Sequence, residues 1–340
     1  MSKMYDIITV GSATIDVFAN TRSELIKIKT SCSEENLIAY PSGSKILIKE
    51  LRFTTGGGGT NTAVSLARLG HKTAYLGSLG NDENGKKILD LLKKEKIDFI
   101  GVLSKEITGY SIILDSIEHD RTILTYKGAN DKLKFSDINL KKLKTKWFYF
   151  SSMVSDSFKA LEKLAEFAEK NNIKIAFNPS TYLAKKGKSY LKKILTRTTI
   201  LILNKEEASL LVGKNNAEVM LSNLCKLGPS IAVITNGKKE INAYDGKNIY
   251  TMTPNKTKVV ESTGAGDAFA SSFLSGIIKR NNIEFALRLG LVNSESVIQH
   301  SGAKNKLLKY REALKNIRKS AVKIKKIQLK TEIFKKIKLF

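Results

Sequence analysis

The chain of 340 residues holds only two cysteines, four prolines and one tryptophan. Cys32 and Cys225 lie far apart and without CxxC spacing, which argues against a disulfide framework and a zinc site and fits a reducing cytosol. No uncharged apolar run approaches the length of a membrane span, so no spanning helix is expected. The first residues, MSKMYDIITVGSATIDVF, have no long apolar stretch ending in a small-residue cleavage site and read as a first strand, not a signal peptide. Low-complexity segments are missing as well. A hydrophobic content of 42% is enough to bury a sizeable core, in one large domain or two smaller ones, and disorder is expected only at the ends.

Acidic residues are scarce beside basic ones: 32 Asp+Glu against 58 Lys+Arg gives a net charge of +26. Most of the excess is lysine, spread through KKILDLLKKEK, LKKLKTK and KKGKSYLKK with only one interleaved aromatic, Tyr190. Arginine is the preferred residue for bidentate phosphate and base recognition, so no specific nucleic-acid partner is expected. A solvated lysine surface, whose positive potential draws anionic substrates, accounts for the charge. His71, His119 and His300 show no metal spacing and no triad companions, and each is expected at the surface or in a loop. There is no Walker A GxxxxGK[ST] and no protein-kinase HRD or DFG set.

What is present alternates. Residues 5–11, 73–80, 147–152, 173–180, 199–204 and 231–237 are short apolar runs that read as buried parallel strands. Helical patterns at 60–70, 84–96, 156–172 and 217–228 lie between them. This is the signature of an α/β fold with a doubly wound, mostly parallel sheet flanked by helices. Ligands then sit beyond the carboxyl ends of strands, at Gly11, Asn178, Asn204 and Gly237. Residues 110–128 read as an antiparallel hairpin, and 24–30 and 44–57 look similar; together they predict a small β-sheet lid. From about 312 a basic helix is expected, with Leu314, Ile317, Val322 and Ile324 as its apolar positions.

Three stretches carry chemistry. In TTGGGGTNTAVSLARLG, Gly56–Gly59 let the backbone approach a ligand, and Asn61 offers a donor and an acceptor suited to a polyol. A flexible loop is the plainer reading. Asp16, just beyond the first strand, fits a carboxylate gripping adjacent sugar hydroxyls, or a turn aspartate. In STGAGDAF the small residues Gly264, Ala265 and Gly266 open a helix N-terminus to a phosphate, with Asp267 beside it. Asp267 then fits either a cap worth about 1 kcal/mol or the base that takes a proton from an acceptor hydroxyl.

Taken in order, these pieces resemble the ribokinase, or phosphofructokinase B, family of carbohydrate and nucleoside kinases, over roughly residues 5–312. Gly57, Gly58, Gly59, Asn61, Gly70 and Gly80 match its first signature, and Thr263–Asp267 its second. Asn204 and Glu207 in LNKEEASLL resemble its Asn-x-x-Glu element, Thr235 and Gly237 its nucleotide loop, and NSESVIQHSGA, starting at Asn293, the segment closing its adenine pocket. The resemblance implies ATP, or another nucleotide donor, with Mg²⁺ held through water by Glu207, and Asn204, Thr235, Gly237 and Asn293 toward the nucleotide. It implies Asp267 as base, residues 264–266 as anion hole, and Asp16, Gly56–Gly59, Asn61 and the lid residue Arg121 around the acceptor. It divides the chain into a kinase domain at 1–16, 52–105 and 130–312, a lid at 17–51 and 106–129, and a basic C-terminal helix and tail at 313–340. A small sugar is the expected acceptor and a nucleoside the alternative; a catalytically silent sugar- or nucleotide-binding regulator is the reading from another class. Cytoplasmic location and a homodimer through the lid are also expected.

The sequence departs from the family pattern at four points. Glu261 stands where many of its sugar kinases have Asp near a monovalent-cation site, and Lys306 lies near another element of that loop, so the resemblance leaves a monovalent-cation requirement open. Gly58 falls where ribose kinases typically carry Lys, and Glu240 replaces a frequent second glycine of the nucleotide loop.

Overall fold

The computed structural model describes residues 3–21, 25–29, 34–38, 40–115 and 121–329. In chain order, β1 (Tyr5–Val10) and β2 (Thr14–Asn20) precede β3 (Leu25–Lys29), β4 (Glu34–Ile38), β5 (Glu50–Gly56) and α1 (Gly58–Arg68). Next come β6 (Thr73–Leu76), β7 (Ser78–Gly80), α2 (Glu83–Lys94), β8 (Asp98–Phe99), β9 (Val102–Ser104), β10 (Gly109–Asp115) and β11 (Arg121–Tyr126). After β12 (Thr145–Phe150) the chain runs α3 (Ser155–Lys170), β13 (Lys174–Phe177), α4 (Ser180–Ala184), α5 (Gly187–Leu195), β14 (Ile200–Asn204), α6 (Lys205–Val212) and α7 (Ala217–Cys225). It ends with β15 (Ile231–Thr235), β16 (Ile241–Tyr244), β17 (Asn248–Met252), α8 (Ala265–Arg280), α9 (Ile283–Ile298), α10 (Tyr310–Lys319) and β18 (Ile324–Gln328).

Ten strands form the central sheet in the order β18-β17-β16-β15-β14-β13-β12-β1-β6-β8. From β8 to β15 neighbours pair in parallel; β16, β17 and β18 add antiparallel strands at one edge. Residue parity assigns each side chain to a face. Ile8, Val10, Phe148, Phe150, Ile175, Phe177, Leu201 and Leu203 join one core cluster with side chains of α3–α7. Ile7, Trp147, Tyr149, Ala176, Ile200 and Ile202 join the other, with α1, α8 and α9. Fully burying each large apolar side chain contributes about 1.5–3 kcal/mol, so both faces favour this register over a one-residue slip.

A second sheet, β11-β10-β2-β5, lies apart from the first and forms the small sheet expected over the strand ends. Its β10 pairs antiparallel with β11 and parallel with β2, and β2 pairs antiparallel with β5. Three expectations need correction. Of the stretch 24–30, residues 25–29 are described, and among the described residues they pair, as β3, with β4 and not with this sheet. The run at 73–80 splits at Gly77 into β6 in the central sheet and β7, which pairs with β9. The terminal helix stops at Lys319, and residues 324–328 are the edge strand β18. Leu314 and Ile317 keep helical spacing, but Val322 and Ile324 are two apart, a strand period.

His71 lies in the loop between α1 and β6, as expected, but not at the surface. It is 8% exposed, and its Nε2 lies 2.7 Å from Ser275 Oγ of α8. Burial, then the nearby Lys279, push its pKa down to about 4, with Asp6 opposing. The unfolded chain therefore binds one proton more than the fold between about pH 4 and 6.5, and stability should fall as pH drops through that window, by on the order of 3 kcal/mol. Urea unfolding from pH 7 to pH 4 checks this: the wild type should lose that much more than His71→Asn. Equal losses would remove His71 from the acid response.

Candidate active site

Helices α1 and α8 meet along a seam of small and polar residues. Asn61 Nδ2 donates to Asp267 Oδ2 at 2.8 Å, and one turn on, Ser271 Oγ lies 2.7 Å from Ser65 Oγ. Every residue of α8 from Ala268 to Ile277 is buried, so the helix is fixed along its length. That rigidity holds Asp267 at the exposed end of the seam, half-buried.

The local sequence left Asp267 between cap and base, and the geometry of α8 separates the two. The N-cap is Gly264, in the left-handed region at φ 79°, and no side chain caps the helix. Asp267 lies in the first turn, and its carboxylate is bound across the seam by Asn61 rather than by its own backbone. Burial raises its pKa above the usual carboxylate range, opposed by the Asn61 hydrogen bond and the charge of Lys304. The glycines beside it differ in duty. A Cβ on Gly264 would meet Ala303 Cβ at 2.5 Å, so this position serves the left-handed turn and close packing. A Cβ on Gly266 would meet nothing within 4 Å, so the open side of the helix start is there. Ala268 N–H makes the first i→i−4 bond, 2.9 Å to Gly264 O, while Ala265 N–H turns back to Ser262 O at 3.3 Å. The N–H groups of Gly266 and Asp267 precede the helical ladder, and such donors at a helix start favour an anion.

Asp16 stands in the middle of β2, 7% exposed, rather than in a turn. Thr14 Oγ1 donates to its Oδ1 at 2.7 Å, and the Ser111 hydroxyl, opposite it in the sheet register, is a further partner. Burial raises its pKa, with Thr14 and Lys304 opposing. Gly56 leaves the room for this carboxylate: a Cβ there would lie 1.8 Å from Asp16 Oδ2. The glycine run is not a loose loop. Gly57 is the N-cap of α1 at φ 92°, and Gly58 and Gly59 form its first turn, with Gly59 N–H bonded to Ser12 O at 3.0 Å.

Asn61, expected to grip the acceptor, has most of its amide engaged within the protein. Nδ2 serves Asp267, and Oδ1 accepts from Lys304 Nζ at 2.6 Å. Lys304 also donates to Thr55 O at 2.7 Å and had no expected role. In a chain with 58 basic side chains, a single buried one has no sequence signature. Arg121 opens β11, and its side chain lies outside the described residues.

Along the carboxyl edge of the central sheet, Asn204 ends β14 and pairs in register with Thr235 at the end of β15. Gly237 follows at φ 55°, with open space where a side chain would be. Asn204 and Glu207 close a capping box on α6: Asn204 Oδ1 accepts from Glu207 N–H at 2.8 Å, and Glu207 Oε2 from Asn204 N–H at 3.0 Å. Thr181 Oγ1 donates to Glu207 Oε1 at 3.2 Å. Burial raises the Glu207 pKa, and Glu206 and Asp267 push it the same way. Tyr149, near the end of β12, and Ser151, just past it, carry hydroxyls that have no hydrogen-bond partner among the described residues, and Tyr149 feels the charges of both Asp267 and Glu207. Asn293 needs correction. It is fully buried in α9, donating to Ser272 Oγ at 2.6 Å and accepting from Leu308 N–H at 2.9 Å, so it braces α8 and α9 instead of reaching a nucleotide.

An acidic side chain on an open helix start, a second, buried carboxylate in the lid sheet and a polar cluster along the central sheet edge suit group transfer between two ligands. Comparison with known proteins agrees. Residues 4–309 match the family described as pfkB family carbohydrate kinase. An uncharacterized sugar kinase of Archaeoglobus fulgidus is 29% identical over 251 residues, 72% of this chain and 98% of that protein. Two solved structures share the fold. Arabidopsis thaliana ribokinase complexed with ribose and ATP has a TM-score of 0.79 at 21% identity, covering 94% of this chain and 100% of that one. The nucleoside kinase of Methanocaldococcus jannaschii, an archaeal member of the ribokinase family, has a TM-score of 0.75 at 23% identity, covering 94% and 100%. With nine-tenths of its length inside the family match and the site built on both signature stretches, the chain belongs to the pfkB family of carbohydrate kinases.

Proposed function

We propose that the protein transfers the terminal phosphoryl group of ATP to a hydroxyl of a small sugar, with Asp267 as general base. The observation that carries this reading is the Asp267 carboxylate, which caps nothing and is held by Asn61 beside the open N-terminus of α8. There it orients the acceptor hydroxyl and takes its proton, while the N–H groups of Gly266 and Asp267 offset charge on the transferring group. Asp16, braced by Thr14, grips a neighbouring pair of hydroxyls above the Gly56–Gly59 turn, and Arg121, at the start of lid strand β11, is the further acceptor-binding residue we propose. The nucleotide lies along the ends of β14 and β15, against Asn204, Thr235 and Gly237.

Magnesium suits the donors present at this edge. Each Glu207 oxygen accepts one hydrogen bond and retains a lone pair, and Mg²⁺ is commonly held by one or two carboxylates through its waters together with substrate phosphates. Glu207 would hold the ion in that way, and the ion would offset phosphate charge.

No helix among the described residues is long and apolar enough to cross a membrane, which fits the cytoplasmic setting we propose. Phe53, Ile112 and Leu124 stand exposed in one row across the lid sheet, the surface through which we propose the chain pairs with a second copy. A phosphate-transfer screen over pentoses, hexoses, their phosphates and nucleosides, with ATP and ADP as donors, tests the function. A sugar should be phosphorylated with ATP. Turnover of nucleosides alone would replace the sugar reading with a nucleoside kinase, and a blank panel would overturn both.

A further inference from the structure

Lys304 is the one buried lysine among the described residues, and it joins three separate parts of the site. Its Nζ donates to Thr55 O in the lid strand β5 and to Asn61 Oδ1 in α1, from the loop that follows α9. Its backbone is braced from behind: Arg68 Nη1 donates to Lys304 O at 3.0 Å, and Arg68 forks onto Glu95 at 2.6 and 3.1 Å. An exposed lysine would have none of these constraints.

We propose that Lys304 is a positioning residue for phosphoryl transfer, fixing the Asn61 amide toward Asp267 and supplying the built-in cation that keeps Asp16 and Asp267 ionised together. This rests on the roles given above to those two carboxylates. The ends of an asparagine amide are nearly alike in shape, but an ammonium group only donates. Oδ1 must therefore face Lys304, which leaves Nδ2 to face Asp267, as observed. A neutral amine can accept as well as donate, and the orientation would no longer be forced.

Lys304 also acts through its charge. Burial raises both carboxylates, Asp16 pushes Asp267 further up, and Lys304 lowers both. Two like charges in one desolvated site disfavour each other's ionised form, so without the cation one carboxylate takes a proton. A protonated Asp267 cannot accept the acceptor's proton. Lys304 itself is pushed down to about 8, by burial first, with Arg68 acting the same way and Asp16, Asp267 and Glu95 opposing. Glu261 is a further charge facing Asp16. As pH rises through that value Lys304 loses its charge, and turnover should fall on the alkaline side.

Wild type, Lys304→Gln and Lys304→Met are compared for kcat and KM from pH 6 to 10 with an acceptor that the wild type phosphorylates, alongside Tm. Both variants should lose about 10²-fold in kcat, the scale of a small misplacement of catalytic groups, with Tm within a few degrees of wild type. The alkaline fall in wild-type kcat near pH 8 should be absent in Lys304→Gln. Unchanged kcat, or a loss that follows a collapsed Tm in both variants, would overturn the proposal. A second readout needs no turnover. In protein carrying ¹³C,¹⁵N-lysine, the side-chain signal missing from Lys304→Gln should titrate near 8, and lower still in Asp267→Asn, where a facing anion is gone. Titration in the ordinary lysine range, or no response to Asp267→Asn, would overturn the cation role. If the wild type phosphorylates nothing while this signal behaves as expected, the kinase reading fails and the charge coupling of Lys304 stands.

Discussion

Asp267→Asn is expected to lower kcat by about 10²–10⁴-fold while the fold keeps its stability. Asparagine retains an oxygen to accept from Asn61 Nδ2, so the seam between α1 and α8 need not reorganise. It removes only the charge and the capacity to take a proton. The stability arm has a definite sign. A carboxylate whose folded pKa lies above its unfolded one destabilises the fold at neutral pH, because the folded state binds the extra proton. Replacing it with a neutral isostere should leave Tm unchanged or raise it. Steady-state kinetics and thermal unfolding on the same preparation check both arms. Lost stability with turnover intact would return Asp267 to a structural part.

Gly56→Ala is expected to reproduce the phenotype of Asp16→Ala without touching the aspartate. A methyl group at position 56 would lie 1.8 Å from Asp16 Oδ2 and 2.6 Å from Oδ1, so the carboxylate must leave its place beside Thr14. An Asp16 that holds two acceptor hydroxyls makes charge-assisted bonds each worth about 1.5–3 kcal/mol, so either variant should lose about 10²-fold or more in kcat/KM for the acceptor. Most of that loss should appear in the acceptor KM, with the KM for ATP little changed. A Gly56→Ala enzyme with wild-type acceptor KM would separate Asp16 from acceptor binding.

The central sheet was legible because its strands are buried on both faces and so appear as short apolar runs between periodic helices. The edge strand β18 was not. It packs only its Ile324 side against the core, and its lysines continue the basic pattern of the helix before it. Asp16 illustrates a different limit. Its position five residues past Gly11 is visible in the sequence, but β2 leaves the first sheet for the second in that interval, and only the pairing with β5 and β10 places the carboxylate opposite Thr54 and Ser111.

The candidate site residues divide the same way. The glycines and Asp267 carry a local signature, since a turn and an open helix start require those residue types at that spacing. The Asn204/Glu207 pair was visible too, yet the same spacing writes a capping box, and the structure gives both residues that duty whatever else they do. Lys304 left no trace, because its importance lies in burial and in partners that are 243 and 249 residues away. Asn293 misled for the opposite reason: a polar residue in a segment resembling a nucleotide pocket is fully spent inside the helix packing.

The central claim is that one hydroxyl of the acceptor lies against Asp267 at the start of α8. A crystal structure with the phosphorylated sugar's parent acceptor and a non-hydrolysable ATP analogue measures this directly. The account predicts an acceptor oxygen within about 2.6–3.2 Å of an Asp267 carboxylate oxygen, with the terminal phosphate over Gly266 and Asp16 on neighbouring hydroxyls. An acceptor bound with Asp267 still engaged by Asn61 alone, and its nearest hydroxyl beyond hydrogen-bond reach, would contradict it.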